Sequence, residues 1–272
     1  MSDLFDIPEA PVRNPRIIAV VNQKGGVGKT TTAINVATAM AACQRRVLLV
    51  DLDPQGNAST GMGLSPHIKR NGSYHVLLGL AQLGPSVRPS RIPGLDILPA
   101  SPDLAGVEIE LVNLPEREYR LRNTLGKSHH SYDYVVIDCP PSMGLLTLNA
   151  LTASQQMLIP LQCEFYALEG LSHLLNTHAQ IRQGFNPNLE ILGIVLTMYD
   201  GRNALCVQVA QDVRSHFGAL VFANEIPRNV KVSEAPSHGV PALIYDVRSV
   251  GSRSYMGLAS EIIQRNQEKL AS

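Results

Sequence analysis

Nine residues, Gln23-Lys24-Gly25-Gly26-Val27-Gly28-Lys29-Thr30-Thr31, stand between an apolar run over 17–21 and a helix-compatible run over 32–42. Strand, glycine-rich turn, Lys-Thr and helix is the arrangement that cradles phosphates. The turn aims backbone N–H groups inward and the helix N-terminus adds partial positive charge. Glycines permit close approach and φ > 0. In such a cradle Lys29 reaches the β/γ-phosphates and the Thr30 hydroxyl binds Mg²⁺. The ordinary pattern, G-x-x-x-x-G-K-[ST], puts Gly at position 23. This chain has Gln23 there, followed by a second lysine, Lys24, ahead of Gly25-Gly26.

The rest of the chain supplies a core to carry that loop. Its 272 residues, 44% hydrophobic and 17% charged, suit one large α/β unit. Trp is absent and Phe scarce, so the core is built of Val, Ile, Leu, Ala and Met. Lys plus Arg number 23 and Asp plus Glu 23. Net charge zero argues against a strongly basic nucleic-acid binder but leaves room for a local basic patch. Cys43, Cys139, Cys163 and Cys206 form no CxxC pair, which points to reduced core thiols of a cytosolic protein. The N-terminus is acidic and Pro-rich, unlike a signal peptide, and no apolar run approaches the roughly 18 residues of a membrane span.

Residues 1–15, with Pro8, Pro11 and Pro15, read as a flexible tail, and 16–272 as one domain. The run 16–21 is a β-branched strand suited to burial on both faces. A second strand, 47–53, ends in Asp51-Leu52-Asp53-Pro54. Strand positions i and i+2 share a face, so Asp51 and Asp53 converge where open α/β sheets bind ligands. The run 132–141 is a buried strand that stops at Asp138 before two prolines. Paired with a phosphate loop, such a strand-end Asp holds Mg²⁺, commonly through water. Further strands are expected over 95–99, 156–161, 189–198 and 219–226, and extended chain over 241–245. Helices are expected over 104–125 (broken at Pro115), 145–153, 168–183, 203–217 and 252–270, with a short one near 74–83. The alternation predicts an α/β fold: a single-domain, doubly wound, mostly parallel sheet flanked by helices, with right-handed crossovers.

With these residues in view, the chain resembles the ParA–MinD family of deviant phosphate-loop ATPases, and within it the ParA/Soj branch, over about residues 16–265. The similarity rests on Lys24 through Thr30, on Asp51-Leu52-Asp53-Pro54-Gln55-Gly56-Asn57, on Val135 through Ser142, and on 196–202 and 226–237. The resemblance implies ATP and Mg²⁺ at the loop, a sandwich homodimer with nucleotides at its interface, and slow, partner-stimulated hydrolysis. It implies that Lys24, Gly25, Gly26, Val27, Gly28, Lys29, Thr30 and Thr31 hold the phosphates, and that Pro227, Arg228 and Asn229 lie along the adenine. Lys24 would be the signature lysine that reaches the partner subunit's nucleotide, in a role like an arginine finger. Asp53 would position water, completing a catalytic set of Lys24, Lys29 and Asp53. Thr30, Asp51, Asp53 and Asp138 would serve the metal.

Three outputs are open to such an ATPase. Membrane attachment calls for a cationic amphipathic last helix. Here Tyr255, Leu258, Ala259, Ile262 and Ile263 make a core-docking stripe among mixed charges. Cluster delivery calls for interface cysteines, and Cys139 sits inside a strand end. DNA is the favoured output: non-specific double-stranded DNA, a ParB-like centromere-binding partner, a cytoplasmic, nucleoid-associated protein, and chromosome or plasmid segregation. The alternatives are a ParA-like ATPase that positions another cargo, such as a chemoreceptor cluster or organelle, and a membrane-associated MinD-like cell-division ATPase. From Gly201 to Ser260 there are six basic and four acidic residues. Arg202, Arg214, Lys231, Arg248 and Arg253 are the candidate DNA contacts.

Overall fold

A computed structural model describes residues 15–65, 71–128 and 131–271. The expected tail lies outside the described residues except for Pro15, which is buried. The chain opens with β1 (Arg16–Val20), α1 (Lys29–Ala42) and β2 (Val47–Asp51). Then come α2 (Asn57–Gly61), α3 (Ser73–Leu78), α4 (Leu83–Ser86), β3 (Arg88–Pro89) and β4 (Leu95–Leu98). Next are α5 (Val107–Leu111), α6 (Arg120–Ser128), β5 (Tyr134–Asp138), α7 (Leu145–Ala153) and β6 (Gln156–Gln162). They are followed by α8 (Ala167–Gly184), β7 (Glu190–Thr197) and α9 (Ala204–Phe217). The last elements are α10 (Val230–Glu234), α11 (Ala242–Tyr245) and α12 (Val250–Ala271).

The strands form one seven-stranded sheet in the order β3-β4-β2-β5-β1-β6-β7. All neighbours are parallel except β3 and β4. The α/β, mostly parallel expectation is therefore met. Strand residues alternate between two apolar layers. Ile17, Ala19, Leu48, Val50, Val135 and Ile137 face the layer that α7 and α8 cover. Ile18, Val20, Val47, Leu49 and Val136 face the layer built by α1 and α12. The stripe Tyr255, Leu258, Ala259, Ile262 and Ile263 docks there, as its helical spacing predicts.

Register places the chemistry at one edge. Asp138 lies opposite both Val20 and Asp51, so β1, β2 and β5 end level. The chain leaves β1 towards β2 on one side, while β6 flanks β1 on the other. A loop after such a strand emerges at the crevice where open α/β sheets take ligands.

Four expected elements differ. The run 219–226 is no strand: a 3₁₀ turn covers Gly218–Leu220, and the contact with the sheet shrinks to isolated bridges, Ile194 with Val221 and Tyr199 with Pro227. Glu261 on α12 accepts the N–H groups of Ala223 and Asn224, and the Asn224 group is the one a ladder on β7 would use next after Phe222. The run 241–245 is not extended but a single helical turn, α11, whose first N–H goes to Asn35 Oδ1 on α1 (2.9 Å). The helix over 104–125 resolves into a 3₁₀ turn at Pro102–Gly106, then α5 and α6, with Glu116 at φ 53 in the gap. The stretch near 74–83 is two helices, α3 and α4, parted by Gly79 at φ 76.

Candidate active site

Three anchors shape the loop after β1. Asn22 is buried, donates from Nδ2 to Pro160 O (2.7 Å) and accepts the Lys24 N–H on Oδ1 (3.0 Å). Thr197 Oγ1, at the end of β7, donates to Val27 O (2.8 Å). Gly26 and Gly28 take φ 76 and 86, left-handed backbone that side-chain-bearing residues rarely adopt, and Gly28 opens α1. The N-terminal dipole of a 14-residue helix thus points into the loop.

Lys29, the first residue of α1, is buried, and its Nζ donates to Lys24 O (2.9 Å). Burial pulls its pKa down, against the raising effects of Asp138, Asp53 and Cys139. The second lysine behaves differently. Lys24 is half exposed and its ammonium pairs with Glu164, beyond the end of β6.

The three carboxylates are not equivalent. Asp51 is fully buried, and Oδ2 accepts Ser59 N–H (2.8 Å) and Ser59 Oγ (2.6 Å) while Oδ1 accepts Asp53 N–H (3.2 Å). Burial pushes its pKa up to about 6 despite those bonds. The convergence of Asp51 with Asp53 is thus a backbone link, and both Asp51 oxygens are already engaged. Asp53 is nearly buried, and its Oδ1 accepts Gln55 N–H (3.0 Å). Asp138 is fully buried, and neither Oδ atom has a hydrogen-bond partner. Burial first, and Asp51 next, push its pKa well above the carboxylate range, outweighing the Thr30 hydroxyl and the Lys29 ammonium.

An orphaned buried carboxylate beside a threonine hydroxyl is a fitting place for a hard cation, since such ions take oxygen ligands. No group of three or more His, Cys, Asp or Glu among the described residues could hold a metal unaided. That suits Mg²⁺, which is usually bound through one or two carboxylates together with substrate phosphates and water.

Two cavities meet at the loop. One, of about 370 Å³, is lined by Gly25, Gly26, Lys29, Thr30, Thr31 and Asp53, among others. The other, of about 150 Å³, is walled by Ile226, Pro227, Arg228, Asn229 and Val232. Both include Gly28, Thr31 and Met198, so they form one trough with a larger end at the loop and a smaller end at Pro227, Arg228 and Asn229. Met198 holds its place there at φ 50, uncommon for a non-glycine residue. Asn229 keeps its side chain for capping α10 (Val232 N–H to Oδ1, 3.2 Å).

The five candidate DNA cations separate into two groups. Arg202 pairs with Asp200 (2.9 Å), whose carboxyl it holds down to about pKa 2. Arg214 pairs with Glu225 (3.3 Å), and Lys231 with Glu234 (3.0 Å). Arg248 and Arg253 are exposed, and no ion pair among the described residues engages them. All four cysteines are free, and Cys139, Cys163 and Cys206 are buried. No helix among the described residues is long and apolar enough to cross a membrane.

Residues the sequence reading did not single out are the supports: Asn22, Ser59, Glu164, Thr197 and Met198. Asn22 adjoins the phosphate loop, Thr197 and Met198 lie inside the run 196–202, and Ser59 stands two positions after Asn57. Glu164 carries no local signal.

The family model described as an AAA domain matches residues 15–191. The chain is 54% identical over 261 residues to the chromosome partitioning protein ParA of Caulobacter vibrioides strain NA1000 / CB15N, covering 95% of this chain and 98% of that one. It is 49% identical over 247 residues to the sporulation initiation inhibitor protein Soj of Bacillus subtilis, covering 91% and 98%. Among solved structures it is similar to cobyrinic acid a,c-diamide synthase from Mycobacterium smegmatis with bound ATP analogue and magnesium. That match has a TM-score of 0.82 and 37% identity, and covers 93% of this chain and 96% of the other.

Proposed function

The chain belongs to the ParA/Soj family of chromosome-partitioning ATPases, and from that premise we propose how its trough works. ATP lies along it, with the phosphates over Gly25 to Thr31 and the base between Pro227, Arg228 and Asn229. Thr30 and Asp138 hold Mg²⁺, directly or through water, and Asp51, locked by Ser59, keeps the metal side of the site rigid. The bound cation offsets phosphate charge. Lys29 leaves the Lys24 carbonyl for the β/γ-phosphates, and Asp53 positions the attacking water. Two copies close on each other, each presenting Lys24 to the other's nucleotide. A cation there stabilises the charge of the transferring phosphoryl group, an effect worth roughly 10³–10⁵ in rate where an arginine supplies it. The observation that carries this reading is the trough itself, with Gly25, Gly26, Lys29, Thr30 and Asp53 in its lining.

The closed pair binds double-stranded DNA without sequence preference and releases it when hydrolysis, stimulated by a ParB-like partner, reopens the pair. It acts on the nucleoid in the cytoplasm, in chromosome or plasmid segregation. Only a dimer presents two copies of a modest basic patch, so ATP gates DNA binding through bivalency. Arg248 and Arg253 are the foremost contacts because no side-chain ion pair among the described residues engages them, while Arg202, Arg214 and Lys231 contribute less. The salt slope is then about −0.9 per neutralised phosphate.

Sedimentation with Mg²⁺ and ATP tests the whole. Lys29→Ala loses ATP binding. Lys24→Ala keeps binding but neither dimerises nor shows stimulated turnover. Asp53→Ala dimerises and stays closed. A Lys24→Ala protein that assembles and hydrolyses like wild type would remove the reading.

A further inference from the structure

Three consecutive loop residues lean on one neighbouring segment. Asn22 Nδ2 donates to Pro160 O in β6, and Gln23 Nε2 reaches Thr177 Oγ1 in α8 (3.4 Å). Lys24 Nζ pairs with Glu164, in the turn between those two elements. Glu164 is itself fixed by that turn: its N–H donates to Gln162 O (2.9 Å) and its C=O accepts Ala167 N–H (2.9 Å). Phe165 and Tyr166 follow it, exposed and packed edge to face. The Lys24 and Glu164 side chains are 48% and 47% exposed, so they can part without disturbing the core.

We propose that Glu164 is a positioning residue that holds Lys24 in the single subunit, so that assembly exchanges one anionic partner of this lysine for another. An ammonium group is a compact point charge with three donors on a flexible stem. Held by Glu164, Lys24 stays directed at β6–α8 of its own subunit. The phosphates of a second subunit's nucleotide carry more negative charge than one carboxylate and displace it. Glu164 thereby raises the threshold for assembly and suppresses closure of a subunit pair that brings too little negative charge. This inference rests on the dimer reading above and adds a regulator to the same site.

The expected effect is modest and readable. Exposed ion pairs are worth roughly 1.4- to 5-fold in an equilibrium constant. One pair breaks in each subunit, so removing both shifts the dimerisation constant by about 2- to 25-fold. The test compares wild type, Glu164→Gln, Glu164→Asp and Lys24→Ala by sedimentation with Mg²⁺ and a non-hydrolysable ATP analogue. Glu164→Gln dimerises at lower protein concentration by that factor, the gap narrows in high salt, and Glu164→Asp returns towards wild type. In the nucleotide-free proteins an amine-reactive reagent labels Lys24 faster in Glu164→Gln than in wild type, a readout independent of assembly. Equal labelling, or a Glu164→Gln protein that dimerises no more readily than wild type, overturns the latch and leaves the dimer reading standing. Wild type that stays monomeric, or Lys24→Ala that dimerises normally, removes the dimer reading and the latch with it.

Discussion

Asp138→Asn should make the nucleotide-free protein more stable and less active. Asp138 is fully buried at the end of β5, and both carboxylate oxygens lack hydrogen-bond partners. Leaving a buried polar group unsatisfied costs about 1–3 kcal/mol, and more when it is charged. Asparagine keeps the shape and stays polar but removes the charge, so only the extra cost of the charge is recovered: a gain of about 1 kcal/mol is expected, or about 2–4 °C in Tm for a chain of this size. The pH dependence follows from the sign of the shift. The folded-state pKa lies above the ordinary 3.8, pushed up first by burial and then by Asp51. The fold therefore favours the protonated form. Its contribution is fully present below about pH 4 and is lost as pH rises through the folded-state value. The variant should match wild type near pH 4 and outlast it increasingly towards neutrality. Calorimetric melts at several pH values, without Mg²⁺ or nucleotide, measure this. Adding Mg–ATP should reverse the order, because wild type gains stability from ligand and the variant has lost a magnesium group. A variant less stable than wild type at neutral pH would refute the claim that Asp138 is an uncompensated charge.

Two further perturbations probe the supports. Ser59→Ala removes a 2.6 Å bond to the buried Asp51 carboxylate and strands the Ala100 N–H, which donates to Ser59 Oγ (3.0 Å); a loss of about 2–4 kcal/mol is expected in denaturant unfolding, and a loss below about 1 kcal/mol would mean that the backbone N–H groups of Ser59 and Asp53 satisfy Asp51 by themselves. Asn22→Ala unties the loop from Pro160 and from the Lys24 N–H; about 1–3 kcal/mol of stability should go, with ATP affinity by titration calorimetry falling about tenfold, and unchanged affinity would show that the loop keeps its shape without Asn22.

Much of this architecture was legible because its signals are local. The β-branched runs 17–21 and 135–137 announce buried strands, and the glycines, lysine and threonine between strand and helix announce the loop. The docking stripe of α12 follows from helical spacing alone. Two of the four misses have long-range causes. A strand over 219–226 is sound by composition, but Glu261, on a helix dozens of residues later, takes the N–H groups of Ala223 and Asn224. The helical turn at Ala242–Tyr245 begins on a bond to Asn35, 207 positions earlier in the chain. No window of neighbouring residues contains either partner.

The same division runs through the site. The loop, its two lysines and the carboxylates at two strand ends can be read locally, because turn chemistry and strand period act over a few residues. That the three loops share an edge follows once the strands are taken as parallel. How each charge is held depends on packing. Asp51 is spent on Ser59, Asp138 is left bare beside Thr30 and Lys29, and Lys24 is drawn to Glu164, 140 positions away. Which polar partner a side chain meets depends on strand order, register and burial, and these arise only when distant segments pack.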